Sequence, residues 1–415
     1  MRVFSDSSLK DWETLINDDG ESPGEKETLW CIPCGHYKLR AGTMHNRQGD
    51  DDGWGSDGMI ELTLAARPDV VLAKSVGFKK TVSTFTFDLY CGDAGVSLSS
   101  ARFERNLASS GAALGMHEGR ENSMFEVTSS TFVSNTAVQK GGVSFASGTN
   151  SGLKFDDCKF LSNAAGRDGG ALVLEDGAGL QLRNAFANGN TAENGDGGFL
   201  FSSFASRVLL KSVNISASSA GSGGGALAVI KSSIALDQVA IKNCSSSGPK
   251  GGGAFFLDGA RAHLAGGTSL QSNVAFNGGP GGHVSMESST LIVHNESVLL
   301  KWPASVPLFP LETIIGSHSG APQPSTLIDG VASAASGGSV FCSSSLSSTE
   351  TAATSFENGD ECLEGGGCFG KGIHLGRGVS VAGNRAKNGG GGAIDAVRCT
   401  IILDGATLGV NTANS

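Results

Sequence analysis

Proline is scarce in this chain, 10 residues of 415, and so are tyrosine (2) and tryptophan (4). So little proline excludes a collagen-like or proline-rich linker composition, although glycine reaches 62 residues. No run of 18 consecutive apolar residues occurs, which excludes a membrane-spanning helix. The opening MRVFSDSSLKDWETLINDDG lacks the apolar stretch of a signal peptide. Basic charge is in deficit: 30 Lys and Arg against 40 Asp and Glu leave a net charge of −10. A nucleic-acid partner is therefore disfavoured, because neutralising phosphates needs clustered cations. The nine cysteines (31, 34, 91, 158, 244, 342, 362, 368 and 399) form no regular disulfide framework, though Cys362 and Cys368 are close enough in sequence to pair.

What is abundant is periodic. Gly-Gly pairs begin at Gly141, Gly169, Gly197, Gly224, Gly252 and Gly281, at spacings of 28, 28, 27, 28 and 29 residues. Further pairs begin at Gly337, Gly366 and Gly389; the 56 residues from Gly281 to Gly337 read as two periods with one pair lost. A second motif runs in phase, apolar-x-apolar-x-x-small-x-apolar-x-x-Asn. It stands as Val96, Leu98, Ala101, Phe103, Asn106, then Phe125, Val127, Ser130, Phe132, Asn135, then Leu153, Phe155, Cys158, Phe160, Asn163, with a last complete copy ending at Asn411.

Alternation with period two marks half-buried strands. One such unit is too small to bury a core, whereas stacked units are not. The expected fold is all-β, a right-handed single-stranded parallel β-helix of about eleven coils between residues 96 and 411. Glycine is expected where a corner needs positive φ, asparagine at a left-handed corner with its amides laddered along the axis, and Phe103, Phe132 and Phe160 stacked inside.

Residues 1–90 read as an N-terminal cap and first irregular coils, with a short capping helix over 6–16 (Leu9, Trp12, Leu15 and Ile16 at helical spacing). Residues 91–415 carry the repeats, interrupted by a proline-rich stretch, 301–336, read as a loop extruded from the rod. The sequence stops just past Asn411, before another Gly-Gly, as a truncated gene model or fragment would.

The repeat resembles that of the chlamydial polymorphic outer-membrane proteins. FERN (103–106), FVSN (132–135) and FLSN (160–163) match its FxxN element, and GGAL (169–172 and 224–227), GGAF (252–255) and GGAI (391–394) its GGA[ILV] element. The resemblance covers roughly residues 96–411. It implies a pectin-lyase-like β-helix acting as the surface-exposed passenger of an adhesin, at the cell surface, the outer membrane or outside the cell, with a protein or glycan partner.

Candidate chemistry is sparse. Cys31-x-x-Cys34 with His36 and His45 has zinc-ligand residue types at a spacing unlike a finger or ribbon, and structural or free thiols are the expectation. Asp50, Asp51, Asp52 and Asp57 resemble a calcium loop but lack the twelve-residue pattern and its terminal Glu, so a solvated acidic loop is expected. Asp156-Asp157 and Arg167-Asp168 are the nearest offerings to a polysaccharide hydrolase or lyase, and a solvated outer face is enough explanation for Asp156 and Asp157. The eight histidines (36, 45, 117, 263, 283, 294, 318 and 374) share no repeat phase. Sequons stand at Asn214, Asn243 and Asn295, relevant in a eukaryotic secretory setting. No catalytic, cofactor or metal residues are assigned. The expectation is a non-enzymatic surface repeat protein, with a carbohydrate-active enzyme or a plain structural rod as alternatives.

Overall fold

Glycine corners, short alternating strands and a core shared between neighbours produce a parallel β-solenoid of right-handed type. The computed structural model describes residues 95–99, 101–116, 123–149, 151–295, 325–333, 337–344, 371–387 and 390–414, with short strands at 73–74, 77–79, 298–301 and 312–315. The expected capping helix, the Cys31/Cys34/His36/His45 group and the Asp50–Asp57 loop lie outside the described residues. No helix occurs among those described.

Each turn contributes four strands, one to each of four parallel sheets. In the turn that begins at Leu172, face one is Leu172–Glu175, face two Gly179–Arg183, face three Phe186–Asn188 and face four Thr191–Ala192. Faces two and three hold 11 strands each, starting from Ala73–Lys74 and Gly77–Lys79.

Between residues 96 and 411 there are about 9 turns, not the expected eleven. Val284 pairs directly with Val340 and Leu270 with Leu327, so the 56-residue interval is one turn carrying an excursion. Val340 likewise pairs with Ile394 across a second excursion, and Gly366 falls in that stretch, outside the described residues. The first excursion leaves after Asn295 and contains an antiparallel pair, Val298–Lys301 with Glu312–Ile315. The chain is back in the solenoid by Thr326–Ile328, within the segment read as extruded loop.

The ladder of asparagines is present, and its geometry differs from the expectation. Asn106, Asn135 and Asn163 each donate Nδ2 to the Oδ1 of the next, Asn163 to that of Asn190, at 2.8–3.0 Å. The left-handed residue is the one before each Asn: Arg105 (φ 57°), Ser134 (53°), Ser162 (53°) and Gly189 (67°). That corner turns the asparagine side chain inward. Buried there, the amide saturates its own hydrogen-bonding capacity along the axis.

Phe103, Phe132 and Phe160 stack at ring-centroid distances of 5.1 and 5.2 Å, almost parallel (10° and 11°). That spacing follows from inter-strand separation of about 4.8 Å. Phe125 and Phe155 complete the same core.

The segments after Gly-Gly are not half-buried alternating strands. Ala171, Leu172, Val173 and Leu174 are all buried, because face one has a second apolar row on its outer side: Phe145, Val173, Phe201, Ala228 and Phe256. The turn into face one covers this row. Lys250 Nζ lies 5.2 Å from the Phe256 ring centroid, and Gly223 packs close to the same ring. A continuous apolar run is what a strand buried on both faces requires.

One substitution within the repeat shows how the ladder bridges a gap. Where four of the other turns have Gly-Gly-Ala, residues 281–283 are Gly-Gly-His, and where Asn is expected one turn later stands Gly330. The His283 ring occupies the vacated space: Nδ1 pairs with Asn273 Nδ2 (3.0 Å) and Nε2 with the Ile328 carbonyl (3.0 Å). Burial pushes its pKa down to about 3. Above about 6.5 neither folded nor unfolded chain protonates this ring. As pH falls below that value the unfolded state takes a proton that the folded state refuses, so stability drops with acidification until pH approaches 3. His283→Ala is expected to abolish about 2 kcal/mol of the destabilisation between pH 7 and 5. Urea midpoints of both chains at the two pH values measure it; equal acid sensitivity would refute the assignment.

Candidate functional site

Face two offers the best-defined outer surface, since its outward residues line up in two columns by register. The central column reads Glu126, Lys154, Gln181, Leu209, Ala235, His263, Ile292, His374. Beside it run Asp156, Arg183, Lys211 and Asp237 on four consecutive rungs. Lys154 pairs with Glu126 (2.6 Å), and Lys211 with the fully buried carboxylate of Asp237 (3.3 Å). The strand Glu312–Ile315 of the first excursion lies against Ser233–Asp237, where the central column turns apolar. Leu209 and Ala235 are accordingly buried although they point away from the core.

The carboxylates singled out in the sequence do not converge. Asp156 accepts from Asn184 Nδ2 (2.9 Å) and Asp157, at φ 53°, from Ser129 Oγ (3.0 Å), both on the corner between faces two and three. Arg167 and Asp168 occupy the turn between faces four and one, where Asp168 Oδ1 accepts the Asp196 amide (3.1 Å). Asp156 and Asp237 are three rungs apart, about 14 Å at the usual strand spacing. Paired glycosidase carboxylates stand about 5–9.5 Å apart. Distance decides against that pair.

The free thiols among the described residues fare no better. The Cys158 and Cys244 thiols are buried, and burial pushes both up to about 12, far from a reactive thiolate. Cys342 forms a disulfide with Cys399, a pairing the sequence spacing gave no reason to choose. It joins face one of one turn to the corner of the next, beside the base of the second excursion.

The histidines hold one arrangement that sequence reasoning missed. His263 and His374 occupy the central column two rungs apart, and His294 lies between them on the neighbouring column. Ring centroids are 6.5 Å apart for His263–His294 and 5.6 Å for His294–His374. Burial lowers the pKa of His263 to about 3 and of His294 to about 4, and lowers that of His374, with mutual repulsion adding to the first two. All three are neutral imidazoles at neutral pH. The column shared by His263 and His374 is visible only once the two excursions are subtracted from the numbering.

Comparison with known protein families, with curated proteins and with solved structures finds no match to this chain.

Proposed function

We propose that this chain is a non-enzymatic repeat protein of a cell surface or extracellular space, which binds a protein or glycan partner along its side in the manner of an adhesin. The observation that carries the reading is the parallel ladder, a stack of turns that presents its outward side chains in register, one rung apart. Rigid, regularly spaced side chains suit an extended partner, because little ordering entropy is lost on contact. The repeat resemblance to chlamydial polymorphic outer-membrane proteins supports the same reading, and the Cys342–Cys399 disulfide fits an oxidising compartment.

The enzyme reading keeps one supporting observation: Asp156, Arg183, Lys211 and Asp237 share a column on adjacent rungs. An assay of the purified chain against acidic and neutral polysaccharides, following binding and cleavage together, separates the two. Binding without cleavage is the expected result for a glycan partner. Cleavage that disappears in Asp156→Asn would replace the proposal with a lyase or hydrolase, and silence in both assays would reduce it to a protein partner or a structural rod.

A further inference from the structure

The fold treats the three sequons of the chain differently. Asn295 closes a corner at the base of the first excursion. Its Oδ1 accepts the Ser325 amide (2.7 Å) and its Nδ2 donates to the Arg377 carbonyl (3.0 Å). The space beside that nitrogen is tight, since a methyl group added at Gly378 would come within 2.7 Å of it. Asn214 and Asn243, by contrast, are exposed, and among the described residues neither side-chain amide has a hydrogen-bond partner.

Neither of these two positions demands asparagine. The column that holds Asn214 carries Lys159, Phe186, Ala240 and Ser269 on neighbouring rungs. Asn243 stands at a left-handed corner (φ 54°), but Ser162, Gly189, Ala217 and Ser272 fill the same corner in other turns. Both lie on one wall: Asn214 opens the face-three strand Asn214–Ser216, and Asn243 follows Ala240–Lys242, the next strand of that face. Asn214 pairs with Ala240, so the two side chains are one rung and three residues apart, about 11 Å. Ile215 and Cys244 point into the core, and Ser216 shares the outward side with Asn214, as alternate strand residues do. A separate observation concerns Phe186, which pairs directly with Asn214 one rung away and is 39% exposed. A sugar ring has a face of C–H bonds, and laying it on that phenyl ring removes apolar surface of both from water.

We propose that Asn214 and Asn243 carry N-linked glycans, that Asn295 of the folded chain does not, and that the first sugar on Asn214 covers Phe186. The proposal rests on the surface or extracellular reading above, in a eukaryotic secretory setting. The donor is a lipid-linked pyrophosphate oligosaccharide. Asparagine Nδ2 forms a bond to the anomeric carbon and loses a proton, while the lipid pyrophosphate leaves. Two glycans about 11 Å apart shield face three, so face two is the side left open to a partner.

The test is to secrete the full chain from a eukaryotic cell line behind an added signal peptide. Releasing the glycans enzymatically in heavy-oxygen water marks each occupied asparagine as labelled aspartate, which peptide mass spectrometry locates. Label at Asn214 and Asn243 with none at Asn295 is the expected pattern. Asn214→Gln and Asn243→Gln should each remove one glycan and leave the circular dichroism unchanged. The glycosylated chain should melt above its Asn214→Gln variant, and Phe186→Ala should erase that gap. A folded, secreted chain bare at Asn214 or Asn243, label at Asn295, or an Asn214→Gln chain that melts no lower would each overturn the proposal. A bare chain that still binds a polysaccharide or protein partner would overturn it and leave the surface reading standing. A chain retained unfolded inside the cell would overturn both.

Discussion

Replacing Asn163 by alanine is expected to destabilise the solenoid by about 3–5 kcal/mol, since buried groups left without partners cost about 1–3 kcal/mol apiece. Asn163 Oδ1 accepts both the backbone amide (3.0 Å) and the Nδ2 (3.0 Å) of Asn135. Its Nδ2 donates to Asn190 Oδ1 (3.0 Å) and to the Phe132 carbonyl (3.1 Å). Alanine orphans the Asn135 backbone amide, leaves Asn135 Nδ2 with only the Phe103 carbonyl (3.0 Å) to donate to, and leaves the Phe132 oxygen one donor short, all far from water. Asn190 Oδ1 keeps the Asn163 amide (3.1 Å), which limits the damage on that side. Asn194, also an asparagine in a turn, is exposed and donates only to the Gly166 carbonyl (3.1 Å). Asn194→Ala should shift the urea midpoint little, because water replaces the lost partner. Equal shifts in the two variants would mean that the ladder is a consequence of folding and not a cause of its stability.

Much of this ladder was legible in advance, since the residues that build it recur in phase. The asparagines, the phenylalanine stack and the glycine corners each fill one inward or corner position per turn, and that position dictates residue type. Legibility failed where a contact depends on what the chain skips. The count of turns was too high because two excursions, after Asn295 and after Ser344, mimic lost repeats in length while leaving the strand register untouched. The exchange of Ala for His283 and Asn for Gly330 is a complementary pair separated by a turn, invisible when each position is read alone. The same blindness hid the Cys342–Cys399 bond and the neighbourhood of His294 and His374. Outer-face chemistry is the least legible part, because no core requirement constrains it. The Asp156-Asp157 dipeptide was only the nearest offering to a catalytic pair, and in the fold its two side chains are spent on Asn184 and Ser129.

The second glycine of each pair yields the other large effect, and it separates two reasons for glycine that a motif cannot. Gly170→Ala is expected to cost about 4 kcal/mol or prevent folding, at the upper end of single-residue effects. The backbone of Gly170 is not left-handed, so conformational freedom is not the issue there. A methyl group would overlap the Gly198 carbonyl oxygen of the next turn and the Thr191 backbone beside it. Both obstacles are main chain, so no rotamer change relieves them, and moving them would break the neighbouring ladder. Gly142, Gly198, Gly225 and Gly253 meet the same carbonyl one turn on, which is why the pair recurs. Gly189 supplies the contrast: its φ is +67°, yet the nearest atom to an added Cβ is Ser162 Oγ at 3.5 Å. Gly189→Ala should therefore cost only the left-handed penalty, about 1–2 kcal/mol. Thermal midpoints of the two variants, read alongside soluble yield, decide the matter. A Gly170→Ala chain as stable as Gly189→Ala would mean that turns can separate locally, and that close backbone approach is not what fixes the 28-residue repeat.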